Sequence, residues 1–335
     1  MGGRHTGHED VGGTDNLTCV DASDLLRSSL LHLSDSSLVR STIEKAPVSR
    51  HVVQRYVPGT DVSDAVNAAA ELRSTNRMVT IDYLGEDTLD AGQAAHTVDT
   101  YVGLLRALKA RDLTQFGAAE VSVKLSAVGQ ALPRDGEQIA LDNARRICEV
   151  AKDADTTVTL DMEDHTTTDS TLSVLAELRK DFPDTGAVLQ SYLHRTESDC
   201  RDLATAGSRV RLCKGAYKEP ASVAYQDAED VDLSYVRCLK VLMAGDGYPM
   251  IASHDPRIID IARALASRQG REPDSYEFQM LFGIRPDEQK RIADRGHQMR
   301  VYVPFGEQWY GYLMRRMAER PANLQFFLRS LITTG

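Results

Sequence analysis

MVTIDYLG, residues 78–85, opens the pattern that decides the fold. It is a short β-rich run closed by a glycine, and seven more follow: EVSVKLSA (120–127), TVTLDMED (157–164), GAVLQSYL (186–193), RVRLCKGA (209–216), PMIASHD (249–255), YEFQMLFG (276–283) and MRVYVPFG (299–306). Each is trailed by a helical segment. Strand and helix alternating about eight times is the signature of a parallel (β/α)8 barrel, with an open doubly wound sheet as the alternative. No GxGxxG follows any strand, which counts against a dinucleotide-binding sheet. The chain therefore reads as α/β, with a barrel over 76–335 that includes an extra C-terminal helix. Amphipathic patterns such as DLLRSSLLHL (24–33) and DVSDAVNAAAELRS (61–74) make 17–75 a helical arm, after an aperiodic and disordered start over 1–16.

At 335 residues the chain is long for one domain, but α/β barrels reach that size. A hydrophobic fraction of 42% supplies a sizeable core. The formal charge of −10 argues against nucleic acid as a partner, because phosphate-binding surfaces are basic. There is no apolar run long enough for a membrane helix and no signal-peptide core, so the expected location is cytoplasmic. The five cysteines show neither a CxxC pair nor zinc spacing, and are read as free thiols.

A barrel keeps its chemistry at the C-terminal ends of its strands. Lys124 stands at the end of the second strand, Asp161, Glu163 and Asp164 at the third, and Gln190 and Tyr192 at the fourth. Arg211, Lys214 and Tyr217 follow at the fifth, Ser253, His254 and Asp255 at the sixth, Gln279 and Leu281 at the seventh, and Tyr302 at the eighth. After the last strand, read as 299–303, a Pro-Phe-Gly turn leads into a helix over 307–319. Tyr312, Arg315, Arg316 and Glu319 fall there at steps of three and four. Two adjacent guanidinium forks make an anion clamp, or else a solvated face paired with Glu319 and Glu288.

Charges inside apolar strands are costly unless paired, so Lys124 and Asp161 from neighbouring strands are expected to meet. Three cations and one carboxylate suit a zwitterionic amino acid. Arg211, Lys214, Gly215 and Ala216 form a basic turn able to hold a phosphate by charge and backbone N–H groups. Two other barrel chemistries stay open on these residues. One is a metal-dependent hydrolase ligated from Asp161, His165, His194, His254 and Asp255; the other is an aldolase with Lys124 or Lys214 as a Schiff-base amine.

VSVKLSA, LDMED, RLCKGAYKEP, IASHD, YEFQMLFGIR and RVYVPFGEQWYGYLMRRMAERPANLQFFLR together resemble the proline dehydrogenase family, over about 122–329. The resemblance implies a distorted barrel that holds FAD and oxidises L-proline to Δ1-pyrroline-5-carboxylate, with quinone as the onward electron acceptor. It implies Lys124, Arg315 and Arg316 as ligands of the proline carboxylate, Glu319 as the residue orienting the arginines, and Tyr302, Tyr312 and Leu281 as walls for the ring. Asp161 matches the family's active-site acid and Arg211 the residue at the reactive flavin edge. Met162, Gln190, Lys214, Gly215, Ala216, Ser253 and His254 match flavin-contacting positions. Cys213 departs from the usual aliphatic residue. The bulk of Tyr302 favours proline over 4-hydroxyproline, whose oxidation is the nearest alternative. No aldehyde dehydrogenase region follows the clamp, so a separate pyrroline-5-carboxylate dehydrogenase is expected. Leu324, Phe327, Leu328 and Leu331 of the last helix either pack on the barrel or make peripheral membrane contact.

Overall fold

A computed structural model describes residues 53–318 of the chain, with side chains through 316. The expected disordered start, most of the helical arm, Glu319 and the helix after Pro321 lie outside the described residues. Within them, α1 (Val62–Arg73) is followed by β1 (Met78–Tyr83), α2 (Ala91–Ala110), β2 (Ala119–Val123), α3 (Gly136–Asp153), β3 (Val158–Leu160), α4 (Thr168–Arg179) and β4 (Ala187–Gln190). The second half runs α5 (Thr196–Leu203), β5 (Arg209–Cys213), α6 (Ala228–Ala244), β6 (Tyr248–Ala252), α7 (Pro256–Gln269), β7 (Glu277–Leu281), α8 (Pro286–Asp294), β8 (Gln298–Phe305) and α9 (Trp309–Ala318).

The eight strands are all parallel in the order β3-β2-β1-β8-β7-β6-β5-β4. The first and last strands of that order meet through one parallel bridge, Thr159 to Gly186. There Leu160 donates its N–H to Gly186 O (2.9 Å) and Gly186 donates to Val158 O (2.8 Å). A Cβ on Gly186 would stand 2.5 Å from Thr159 Oγ1, so the close approach requires glycine. The expected barrel is thus formed, nearly closed.

Period-two alternation explains how the strands are used. Val79, Ile81, Val121, Val123, Val158, Leu160, Val210, Leu212, Val301 and Val303 face outward into the main apolar core under the helices. Between them, Thr80, Asp82, Glu120, Ser122, Thr159, Asp161, Arg211 and Arg300 turn inward and are buried as well. The lumen is therefore ionic. Its N-terminal layer is structural: Arg300 donates to Glu277 Oε1 (2.7 Å) and Oε2 (3.0 Å), and Arg209 to Glu120 Oε2 (2.7 Å). Burial resists the charge of Glu120, but Arg209, Arg300 and Arg211 hold its carboxyl down at about 2.

The end of the chain corrects one expectation. Pro304 and Phe305 belong to β8 rather than to a turn, pairing with Asp82 and Tyr83 of β1, and α9 starts at Trp309. Proline is tolerated because Tyr302 and Pro304 direct their backbone groups toward β7, whose last paired residue is Leu281 opposite Tyr302. On the other side Phe305 O still accepts from Leu84 N–H (2.8 Å). Among the described residues no helix is long and apolar enough to cross a membrane.

Candidate active site

Lys124 leaves β2 into the C-terminal mouth of the barrel and is 7% exposed. Its tightest partner is Asp82 of β1, at 2.6 Å, while Asp161 stands 3.8 Å away. The expected Lys124–Asp161 pair is therefore secondary, and Asp82, absent from the sequence reading, is the principal counter-ion. Burial disfavours the ammonium, but the Asp82 and Asp161 carboxylates outweigh it and hold Lys124 protonated above lysine's ordinary range. An ammonium held between two carboxylates is a poor nucleophile, which counts against a Schiff base there.

Asp161 accepts three hydrogen bonds. Ser122 Oγ (2.7 Å) and Arg211 Nη1 (2.6 Å) donate to Oδ1, and the Tyr302 hydroxyl (2.8 Å) donates to Oδ2. Burial and the neighbouring Asp161 and Asp82 carboxylates push the Tyr302 phenol upward, so it donates as a neutral hydroxyl. Arg211 also donates to Ser122 Oγ (2.9 Å), and its guanidinium carbon lies 5.4 Å from the centre of the Tyr302 ring. Its Nε is buried with no hydrogen-bond partner among the described residues. Five strands thus converge on one cluster of Asp82, Lys124, Asp161, Arg211 and Tyr302.

Over this cluster α9 carries the arginine pair. Arg315 donates to Glu86 Oε1 at 2.8 Å, not to Glu288, which pairs with Arg291 and Arg285. The Arg316 guanidinium lies 5.3 Å from the centre of the buried Tyr312 ring. The Glu288 pairing expected of a solvated face is thus not formed, and its other expected partner, Glu319, lies outside the described residues. Leu281 closes the β7 side, its N–H donating to His254 Nε2 (3.0 Å), which puts the proton of a neutral His254 on Nδ1. Ser253 is buried and its Oγ accepts from Asp255 N–H (3.1 Å).

The other half of the mouth is built from β3 to β5. Met162 and Gln190 are buried, and Gln190 Nε2 donates to Glu163 O (2.7 Å). Lys214 pairs with Asp232, and Gly215 has φ +120°, with Ala216 exposed beside it. Glu163 is buried against Ser126, and burial pushes its carboxyl up to about 7 despite the Ser126 donors. Cys213 is half-buried, and burial lifts its thiol to about 11. The histidines weighed as metal ligands scatter instead: His165 pairs with Glu219, His194 Nε2 lies 3.3 Å from Ala221 O, and His254 serves Leu281. Among the described residues no three His, Cys, Asp or Glu side chains converge in a metal-binding group.

The sequence reading missed Asp82, Ser122 and Glu86. Asp82 was accessible to the criterion that found Lys124, a charge alternating with apolar residues in MVTIDY. Glu86 lies in a loop and carries no periodic signal.

A family model for proline dehydrogenase matches residues 65–329. The chain belongs to the proline dehydrogenase family. Among similar proteins, Proline dehydrogenase 1 of Bacillus subtilis (strain 168) is 36% identical over 308 residues, covering 92% of this chain and 99% of its own. The Proline dehydrogenase of Deinococcus radiodurans is 38% identical over 284 residues, covering 84% of this chain and 90% of its own. The solved structure of proline utilization A (PutA) from Bdellovibrio bacteriovorus, inactivated by N-propargylglycine, superposes with a TM-score of 0.73 at 24% identity. That superposition covers 88% of this chain and 36% of the PutA chain, and shows the shared fold. The proline dehydrogenase match begins inside α1 and takes in all eight strands.

Proposed function

We propose that this barrel mouth oxidises L-proline to Δ1-pyrroline-5-carboxylate with FAD, and that a quinone takes the electrons onward. Family membership makes proline oxidation the reaction. The observation that carries the residue-level reading is the cluster Asp82–Lys124–Asp161–Arg211–Tyr302, whose charged members are buried at the strand ends and whose half-buried tyrosine packs against α9, the helix of Arg315 and Arg316.

Lys124, Arg315 and Arg316 bind the carboxylate, by charge in the first case and by planar forks in the others. Tyr302, Tyr312 and Leu281 wall the ring. Asp161 orients Arg211 and the Tyr302 hydroxyl and balances Lys124, so that the site presents fixed dipoles rather than mobile water. Glu319, assigned to orient the arginines, lies outside the described residues.

Met162, Gln190, Arg211, Lys214, Gly215, Ala216, Ser253 and His254 would hold FAD. The fit rests on the buried Arg211 Nε, a donor still lacking an acceptor among the described residues, and on a basic strand-to-loop turn whose glycine sits at φ +120°. When bound, FAD supplies the hydride acceptor. The substrate amine must be neutral for its lone pair to assist, and a carboxylate pinned by three cations fixes the adjoining ring against the site's wall.

An absorbance spectrum of the purified protein, taken without oxygen before and after adding L-proline, tests this reading. Flavin bands that bleach with proline are the expected result; a colourless protein, or bands indifferent to proline, overturns it. Tyr302→Ser tests the choice of proline over 4-hydroxyproline. Opening the wall is expected to shift the ratio of kcat/KM values toward hydroxyproline by about 10-fold. Both activities should fall, because Tyr302 also holds Asp161. An unchanged ratio would show that Tyr302 does not set the preference.

A further inference from the structure

Glu163 takes no part in the roles above, yet it is 5% exposed beside the site. Both of its carboxylate oxygens serve one residue: Oε1 accepts the Ser126 N–H (3.1 Å) and Oε2 accepts the Ser126 hydroxyl. Ser126, itself buried, relays this contact outward. Its Oγ accepts from Asp87 N–H (2.9 Å) and its carbonyl accepts from Thr88 N–H (3.1 Å). Asp87 and Thr88 belong to the loop between β1 and α2, where Asp87 adopts φ +51°. The same loop carries Glu86, the partner of Arg315. Leu84 is tied to Phe305 at one end and Asp90 caps α2 at the other. Between those anchors, among the described residues, the loop backbone makes no hydrogen bond with the barrel except those to Ser126.

Geometry thus links a buried carboxylate at the end of β3 to an ion pair over the mouth. A serine hydroxyl has one proton. With that proton donated to Glu163, its lone pairs are turned to the Asp87 amide; without Glu163, the hydroxyl is free to rotate and the loop loses a fixed acceptor. We propose that Glu163, acting through Ser126, is a positioning residue that fixes the 84–90 loop and thereby the Glu86 carboxylate that holds Arg315 in place. Its kinetic consequence rests on the reading of Arg315 as a ligand of the proline carboxylate; its structural consequence does not.

The test pairs amide hydrogen exchange with steady-state kinetics on the flavin-loaded protein, using Ser126→Ala, Glu163→Ala and the near-isosteric Glu163→Gln. Exchange at Asp87 and Thr88 should accelerate at least 10-fold in Ser126→Ala and Glu163→Ala. KM for L-proline should rise about 10-fold while kcat stays within about threefold. Glu163→Gln keeps one acceptor oxygen and should recover part of both effects. Glu86→Ala is the control: it should raise KM and leave exchange at Asp87 and Thr88 as in the parent. Unchanged exchange in Ser126→Ala and Glu163→Ala would overturn the proposal, as would a loss confined to kcat. Faster exchange with an unmoved KM would uphold the latch and overturn the role given to Arg315. If Glu163→Ala does not fold, Ser126→Ala, which removes only a hydroxyl, decides alone.

Discussion

Asp82→Ala is expected to lower the melting temperature by roughly 5–10 °C and kcat/KM for L-proline by about 100-fold. Asp82 is 1% exposed and meets Lys124 at 2.6 Å, so its removal leaves a buried ammonium without its main counter-ion. Breaking such a pair from one side costs about 3–5 kcal/mol, because the remaining charge keeps its desolvation penalty. Lys124 would then turn to Asp161, now 3.8 Å away, and compete with Arg211, which holds the same carboxylate at 2.6 Å. Activity suffers through this displacement, since a shift of about 1 Å in a positioning group is worth about two orders of magnitude. Asp82→Asn keeps the volume and one acceptor, so it should recover part of the stability while its remaining deficit reports the charge. Thermal unfolding and steady-state kinetics check both variants. An alanine variant that melts with the parent would show that Asp161 alone suffices for Lys124.

With the 214–216 turn holding FAD as proposed, Gly215→Ala is expected to cause at least about a 10-fold loss of bound flavin per chain. At φ +120° an L-residue is strained by about 1–3 kcal/mol, and a Cβ there would stand 2.4 Å from the Tyr192 ring. The ring has little freedom to yield. Its hydroxyl donates to Glu219 (3.2 Å), and Glu219 is committed to the His165 backbone N–H (2.9 Å) and imidazole. The turn that carries Lys214 and Ala216 must therefore move instead. The ratio of flavin to protein absorbance after desalting reads the outcome. Full occupancy would show that this turn does not contact the cofactor.

Much of this was legible in the sequence because two periodicities coincide. Outward valines and leucines alternating with inward charges in VSVKLSA, VTLDMED and RVRLC announce both the barrel and its polar lumen. Glycine and proline marked the loops between units. Pairing was harder to read. Lys124 is as close in sequence pattern to Asp161 as to Asp82, and only the register of β1 against β2 decides which carboxylate reaches it. Glu86 reaches Arg315 across 229 positions, a contact that no local pattern encodes. Pro304 misled the reading of β8 because a proline normally ends a strand, and its tolerance depends on where β7 stops.

The single Thr159–Gly186 bridge gives the ring a seam. Elsewhere each strand is sewn to its neighbours by continuous ladders; between β3 and β4 the backbone contributes one bridge, and above it the Gln190 amide adds a stitch to Glu163 O (2.7 Å). Sub-global opening favours regions with few backbone bonds, so among the described strands this line is where the barrel is expected to part first. Met162 and Gln190 stand on opposite lips of it. A cofactor gripped by both would act as a staple across the ring, so holding the cofactor and keeping the cylinder shut would be one and the same mechanical event.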